Sequence, residues 1–129
     1  NIMLDFHGQV KIMDFGLAKI EMVSELTQKG EVMGTVYYMS PEQIRGQKID
    51  SRSDIYSFGV TLYEIITRVK PFRQGNIMYE HLSTDPEPPS KINASIPKAV
   101  EQATLRCLEK DPDDRYQTFR DFIQDWLLV

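Results

Sequence analysis

Apolar residues crowd the stretch from Asp54 to Thr67, DIYSFGVTLYEIIT, almost all the way round a helical wheel. Ile55, Tyr56, Phe58, Val60, Leu62, Tyr63, Ile65 and Ile66 leave no polar face wide enough for a surface helix. The pattern therefore predicts a buried central helix with other elements packed on several of its sides. Ser53 suits the capping position and Asp54 the positive end of the helix dipole, while Arg68, Lys70 and Pro71 mark the close. Gly59 in mid-helix costs about 1 kcal/mol relative to alanine, which points to another backbone passing close by.

Elsewhere the periods are shorter. Ile2 to Leu4 and Val10 to Met13 read as β-runs separated by Asp5, Phe6, His7 and Gly8, so a hairpin is expected. Folding at that turn brings Asn1 and Asp14, which flank the two runs, to the same open end. From Asp14 to Met39 no period is sustained; a loop of that length in a compact domain tends to be functional or mobile. Ser40-Pro41-Glu42-Gln43 has the form of a capping box with proline at the first helical position, opening a short helix that ends near Gly46. Asn76 to Leu82 suits another short helix, followed by an extended run through Asp85, Pro86, Glu87, Pro88 and Pro89. Pro97 opens an amphipathic helix with Val100, Ala103, Thr104, Cys107 and Leu108 on one face, closed before Asp111-Pro112. Thr118 and Asp121 form a second capping box, and Phe119, Phe122, Ile123, Trp126 and Leu127 make one apolar face to pack inward. The expected fold is mainly α: a helical body around one buried helix, with a small β-hairpin at the N-terminal end.

Composition narrows the function classes. A chain of 129 residues with 41% hydrophobic content can bury one real core. A net charge of -4, a pI near 5.1 and scattered basic residues give no field for nucleic acid. The lone Cys107 cannot form an internal disulfide, which fits the cytoplasm. No apolar run approaches the roughly 18 residues of a membrane span, and no signal-peptide pattern opens the chain. It begins at Asn1 in an apolar run, and is expected to be a piece of something longer.

Candidate chemistry gathers at the open end of the hairpin. An amide oxygen from Asn1 beside a carboxylate from Asp14 suits a hard cation such as Mg2+, which completes its shell with water and substrate phosphates. Either residue equally suits an ordinary strand-end cap, and spacing alone leaves both readings open. His7 and His81 have no neighbouring nucleophile or metal-type ligand in the sequence and read as surface residues.

Five motifs in order carry a resemblance. Asn1, Asp14-Phe15-Gly16, Ser40-Pro41-Glu42, Ser53-Asp54-Ile55-Tyr56-Ser57-Phe58-Gly59 and Arg115 after Lys110-Asp111-Pro112 are similar to successive signatures of the C-terminal lobe of a eukaryotic-type (bacterial-like) serine/threonine protein kinase. The resemblance begins at the last residue of the catalytic loop and spans nearly the whole chain, 1–129. It departs in Ser40 for alanine, Tyr56 for tryptophan and Val36 for proline.

This resemblance implies transfer of the ATP γ-phosphoryl group to serine or threonine hydroxyls of a protein substrate. It implies Asp14 and Asn1 as Mg2+ ligands, with Phe15 packed below the metal. Thr35 would sit near the catalytic aspartate, on the stretch Gly34 to Met39 that receives the residue next to the phosphoacceptor. It also implies Glu42 and Arg115 as a buried ion pair, Asp54 as a structural residue, and Thr27, with Ser24 next, as regulatory phosphosites. The Gly-rich loop, the ATP-binding lysine, its glutamate partner and the catalytic aspartate all fall before Asn1 in such kinases. The chain alone is therefore expected to be inactive. A pseudokinase or docking domain is the alternative use of the same fold.

Overall fold

The computed structural model describes residues 2–13 and 36–128. Strands β1 (Ile2–Leu4) and β2 (Val10–Ile12) pair antiparallel, with Ile2 opposite Ile12, Met3 opposite Lys11 and Leu4 opposite Val10. The Asp5 carboxylate closes the turn by accepting from the amides of His7 and Gln9, and Gly8 takes the left-handed conformation the turn needs, φ 75°.

Among the described residues six helices follow: α1 (Pro41–Ile44), α2 (Ser51–Thr67), α3 (Ile77–Ser83), α4 (Pro89–Ile92), α5 (Lys98–Cys107) and α6 (Phe119–Trp126), with a 3-10 turn at Pro112–Asp114. Both expected capping boxes form. Ser40 and Gln43 cap the start of α1, and Thr118 and Asp121 cap the start of α6.

Helix α2 is the pillar. On one side Ile55 and Leu62 pack with Ala103 and Cys107 of α5, with Tyr116 and with Phe122 of α6; on the other, Tyr56, Val60 and Tyr63 pack with Phe72 and Leu108. The backbone that passes close to Gly59 belongs to α5, since a Cβ at Gly59 would lie 3.3 Å from the Cys107 carbonyl carbon and 2.6 Å from Cys107 Cβ.

Several expectations are corrected. Helix α2 begins three residues earlier than the apolar run, because Asp50 rather than Ser53 caps it by accepting from the Arg52 amide at 2.9 Å. Among the described residues not every side of α2 is covered: Ile65 is 62% exposed. The extended run stops at Pro88, and Pro89 opens the one-turn α4, where a proline at the first helical position gives up no hydrogen bond. In α6 only Phe122 is buried and Trp126 half-buried, while Phe119, Ile123 and Leu127 remain exposed.

Helix α2 ends on Arg68, held left-handed at φ 66°, a conformation costly for a residue with a side chain. Its amide still donates to Glu64 O at 2.8 Å. Thr67 Oγ1 lies 2.9 Å from Val69 O, and Pro71 and Phe72 are buried, so the chain turns sharply back over the end of α2. No helix among the described residues is long and apolar enough to cross a membrane.

Candidate functional site

Glu42 and Arg115, 73 positions apart, meet in the interior. Arg115 Nη1 donates to Glu42 Oε1 at 2.8 Å and Nη2 to Oε2 at 2.9 Å, a bidentate pair in which both side chains are almost wholly excluded from solvent. The remaining donors are used as well. Nε reaches Glu109 O at 2.8 Å, Nη1 also reaches Arg52 O at 3.0 Å, Nη2 reaches Lys110 O at 3.1 Å, and the guanidinium stacks 4.9 Å over the Tyr56 ring. Ser53 Oγ donates to Glu42 Oε1 at 2.6 Å, which is why this serine was unavailable as a cap. Burial works against the charge on Glu42, yet the hydrogen bonds from Arg115 and Ser53 outweigh it and hold the carboxyl at about 2.

Beside this junction lies a buried aromatic and basic cluster. His81, expected at the surface, is 0% exposed, because Phe72 and Tyr56 close over it from elements distant in sequence. Its Nδ1 shares a 2.8 Å hydrogen bond with the Tyr56 hydroxyl, and Nε2 has no hydrogen-bond partner among the described residues. Desolvation, with the Lys110 ammonium adding repulsion, pushes the imidazole down to about 4; the peptide groups of Val36 and Tyr37 oppose part of that shift. Lys110 Nζ sits 4.2 Å over the Phe72 ring and donates to Glu80 O at 3.3 Å, and burial draws its ammonium down to about 8.

The segment leading into α1 is tied to α2 a second time. Tyr38 OH donates to Glu64 Oε2 at 2.6 Å, and Ser57 Oγ donates to Tyr38 O at 2.7 Å. Burial, then the bond to Glu64, raises the Tyr38 phenol to about 12. Lys70 Nζ approaches Glu64 Oε1 at 3.3 Å and lies over the Tyr37 and Tyr38 rings, 5.0 and 6.0 Å from their centroids.

Of the sequence-derived site residues, the structure brings Glu42 and Arg115 together and leaves Asp54 exposed in the first turn of α2. Asn1, Asp14, Ser24, Thr27 and Thr35 lie outside the described residues. The register of the described hairpin sets Ile2 opposite Ile12. No group of three or more His, Cys, Asp or Glu among the described residues could hold a metal ion. Sequence reasoning missed His81, Lys110 and the Tyr38–Glu64–Lys70 cluster. Glu64 and Lys70 stand six apart, beyond helical i+4 reach, and only the left-handed turn at Arg68 returns one to the other.

Comparison with known proteins bears on the whole chain. A family model described as the protein kinase domain matches residues 1–127. The chain is 41% identical over 134 residues to serine/threonine-protein kinase PknB of Mycolicibacterium smegmatis, covering 100% of this chain and 21% of that protein. It is 39% identical over 134 residues to the PknB of Mycobacterium tuberculosis H37Rv, again covering 100% and 21%. A probable serine/threonine-protein kinase of Clostridium perfringens is 39% identical over 128 residues, covering 97% of this chain and 19% of that protein. The chain thus spans about a fifth of the length of the curated relatives it matches.

Proposed function

We propose, because this chain belongs to the protein kinase family, that it is the distal part of an enzyme that moves the γ-phosphoryl group of ATP to serine or threonine hydroxyls of proteins. Residues 1–129 are then the stretch from the end of the catalytic loop to the last helix of the kinase domain, working in the cytoplasm. The observation that carries this reading is the match across residues 1–127, with Asp14-Phe15-Gly16, Ser40-Pro41-Glu42 and Arg115 in kinase order. The buried Glu42–Arg115 pair supports it by fixing α1 against the helical body.

Asn1 and Asp14 fit Mg2+ by donor chemistry, one amide and one carboxylate oxygen, and by the hairpin register that directs their neighbours to one end. When bound, the ion neutralises charge on the transferring phosphates. The chain's own contribution is positional. Asp14 and Asn1 would hold the ion and with it ATP, Phe15 would support Asp14, Thr35 would serve beside the acceptor hydroxyl, and Gly34 to Met39 would receive the residue next to it. Thr27, with Ser24 next, is the site where a phosphate would order the loop by pairing with arginine.

The test is Asp14→Ala in the intact protein. Phosphotransfer to a serine or threonine peptide should fall by about two to three orders of magnitude, with peptide binding kept. An undiminished rate would remove Asp14 as the metal ligand, whereas no phosphotransfer by the unaltered protein would move the assignment to a docking domain that binds proteins without catalysis.

A further inference from the structure

The Tyr38–Glu64–Lys70 cluster has a charge state that bears on substrate choice. Glu64 has two carboxylate oxygens and both are engaged: Oε2 accepts from Tyr38 OH at 2.6 Å and Oε1 faces Lys70 Nζ at 3.3 Å. Both charged side chains are about a third exposed, 32% for Lys70 and 33% for Glu64, so the pair reaches the surface rather than the core. Lys70 is held there by more than Glu64. Its ammonium lies over the faces of Tyr37 and Tyr38, and its own carbonyl accepts from Arg73 Nη1 at 2.8 Å. On either side the backbone is pinned, by left-handed Arg68 and the Thr67 hydroxyl before it and by buried Pro71 and Phe72 after it.

Tyr37 and Tyr38 belong to the stretch Gly34 to Met39 along which the proposed function runs the substrate; the inference rests on that reading. A carboxylate a third exposed beside a peptide track would ordinarily attract basic side chains. Here the carboxylate already has a cation from its own chain. We propose that Lys70 is a specificity-determining residue: as a built-in counter-ion it closes Glu64 to arginine and lysine of the substrate, and it offers its ammonium to acidic side chains near the phosphoacceptor.

The experiment uses the intact protein and two families of serine or threonine peptides, identical except for arginine or aspartate flanking the acceptor. The readouts are the ratio of kcat/KM between the families and, separately, their binding by fluorescence anisotropy without turnover. Wild type should favour the aspartate set. Lys70→Ala should shift both ratios toward the arginine set by about fivefold, the size expected of a surface charge pair. Lys70→Arg should behave as wild type, and raised salt should shrink the shift. Ratios unmoved by Lys70→Ala, in a protein whose thermal midpoint shows it folded, would overturn the proposal and leave Lys70 a structural ion pair. Phosphotransfer to neither set would instead count against the kinase reading, and the binding ratios would still decide the role of Lys70.

Discussion

A single imidazole records how tightly the helices close around α2. His81 is fully enclosed, bonded at Nδ1 to Tyr56 and faced by Lys110, and its folded-state proton affinity drops from 6.5 to about 4. In that window the unfolded chain binds a proton that the folded chain refuses. The contribution to stability is therefore complete above about pH 6.5 and is lost as pH falls toward 4. Between pH 7 and pH 5 the loss should be about 2 kcal/mol, seen as a lower urea midpoint for the intact protein. His81→Asn, which keeps a polar partner for the Tyr56 hydroxyl, should flatten that dependence. If the slope survives the substitution, other groups cause it.

At the scale of elements, the Glu42–Arg115 bridge joins α1 to the turn before α6. Glu42→Gln or Arg115→Met alone leaves one partner buried and uncompensated, at a cost of about 3 to 5 kcal/mol. The double variant should cost clearly less than the sum, because no isolated charge remains. Denaturant melts of the four proteins give the coupling, and simple additivity would mean that the pair does not act as a unit. This bridge was legible in the sequence as motif positions, just as the caps of α1 and α6 were legible as local patterns. Features set by distant chain were not. The Asp50 cap stands outside the apolar run that marked α2, the one-turn α4 hides behind Pro88 and Pro89, and the burial of His81 depends on Phe72 and Tyr56. The expected hairpin suggested Asn1 and Asp14 as metal-ligand candidates, and only the resemblance favoured that over the ordinary capping role of a strand-end Asn or Asp.

For the whole molecule, the exposed apolar surface matters. Ile2, Leu4, Val10 and Ile12 are all exposed on the hairpin, as are Ile65 on α2 and Ile123 and Leu127 along α6. Such residues ask for covering protein, and the 129-residue chain by itself should associate at high concentration. It should also fail to hold nucleotide. Asn1 and Asp14 can offer Mg2+ only a few oxygens, and the sequence contains no Gly-rich loop to grip the phosphates. Calorimetry with Mg-ATP on this chain should show no micromolar binding; a micromolar isotherm would reveal a nucleotide site built from other residues.

The meeting of Gly59 and Cys107 constrains which sequences are reachable by single changes. Any residue but glycine at 59 brings a Cβ to 2.6 Å from Cys107 Cβ, an atom that every residue except glycine also carries at 107. Trimming the thiol to alanine therefore opens no passage, and a second glycine would first have to enter at 107, the last residue of α5. Position 59 is in effect frozen by its neighbour, so drift in this pair of helices must proceed through their other contacts.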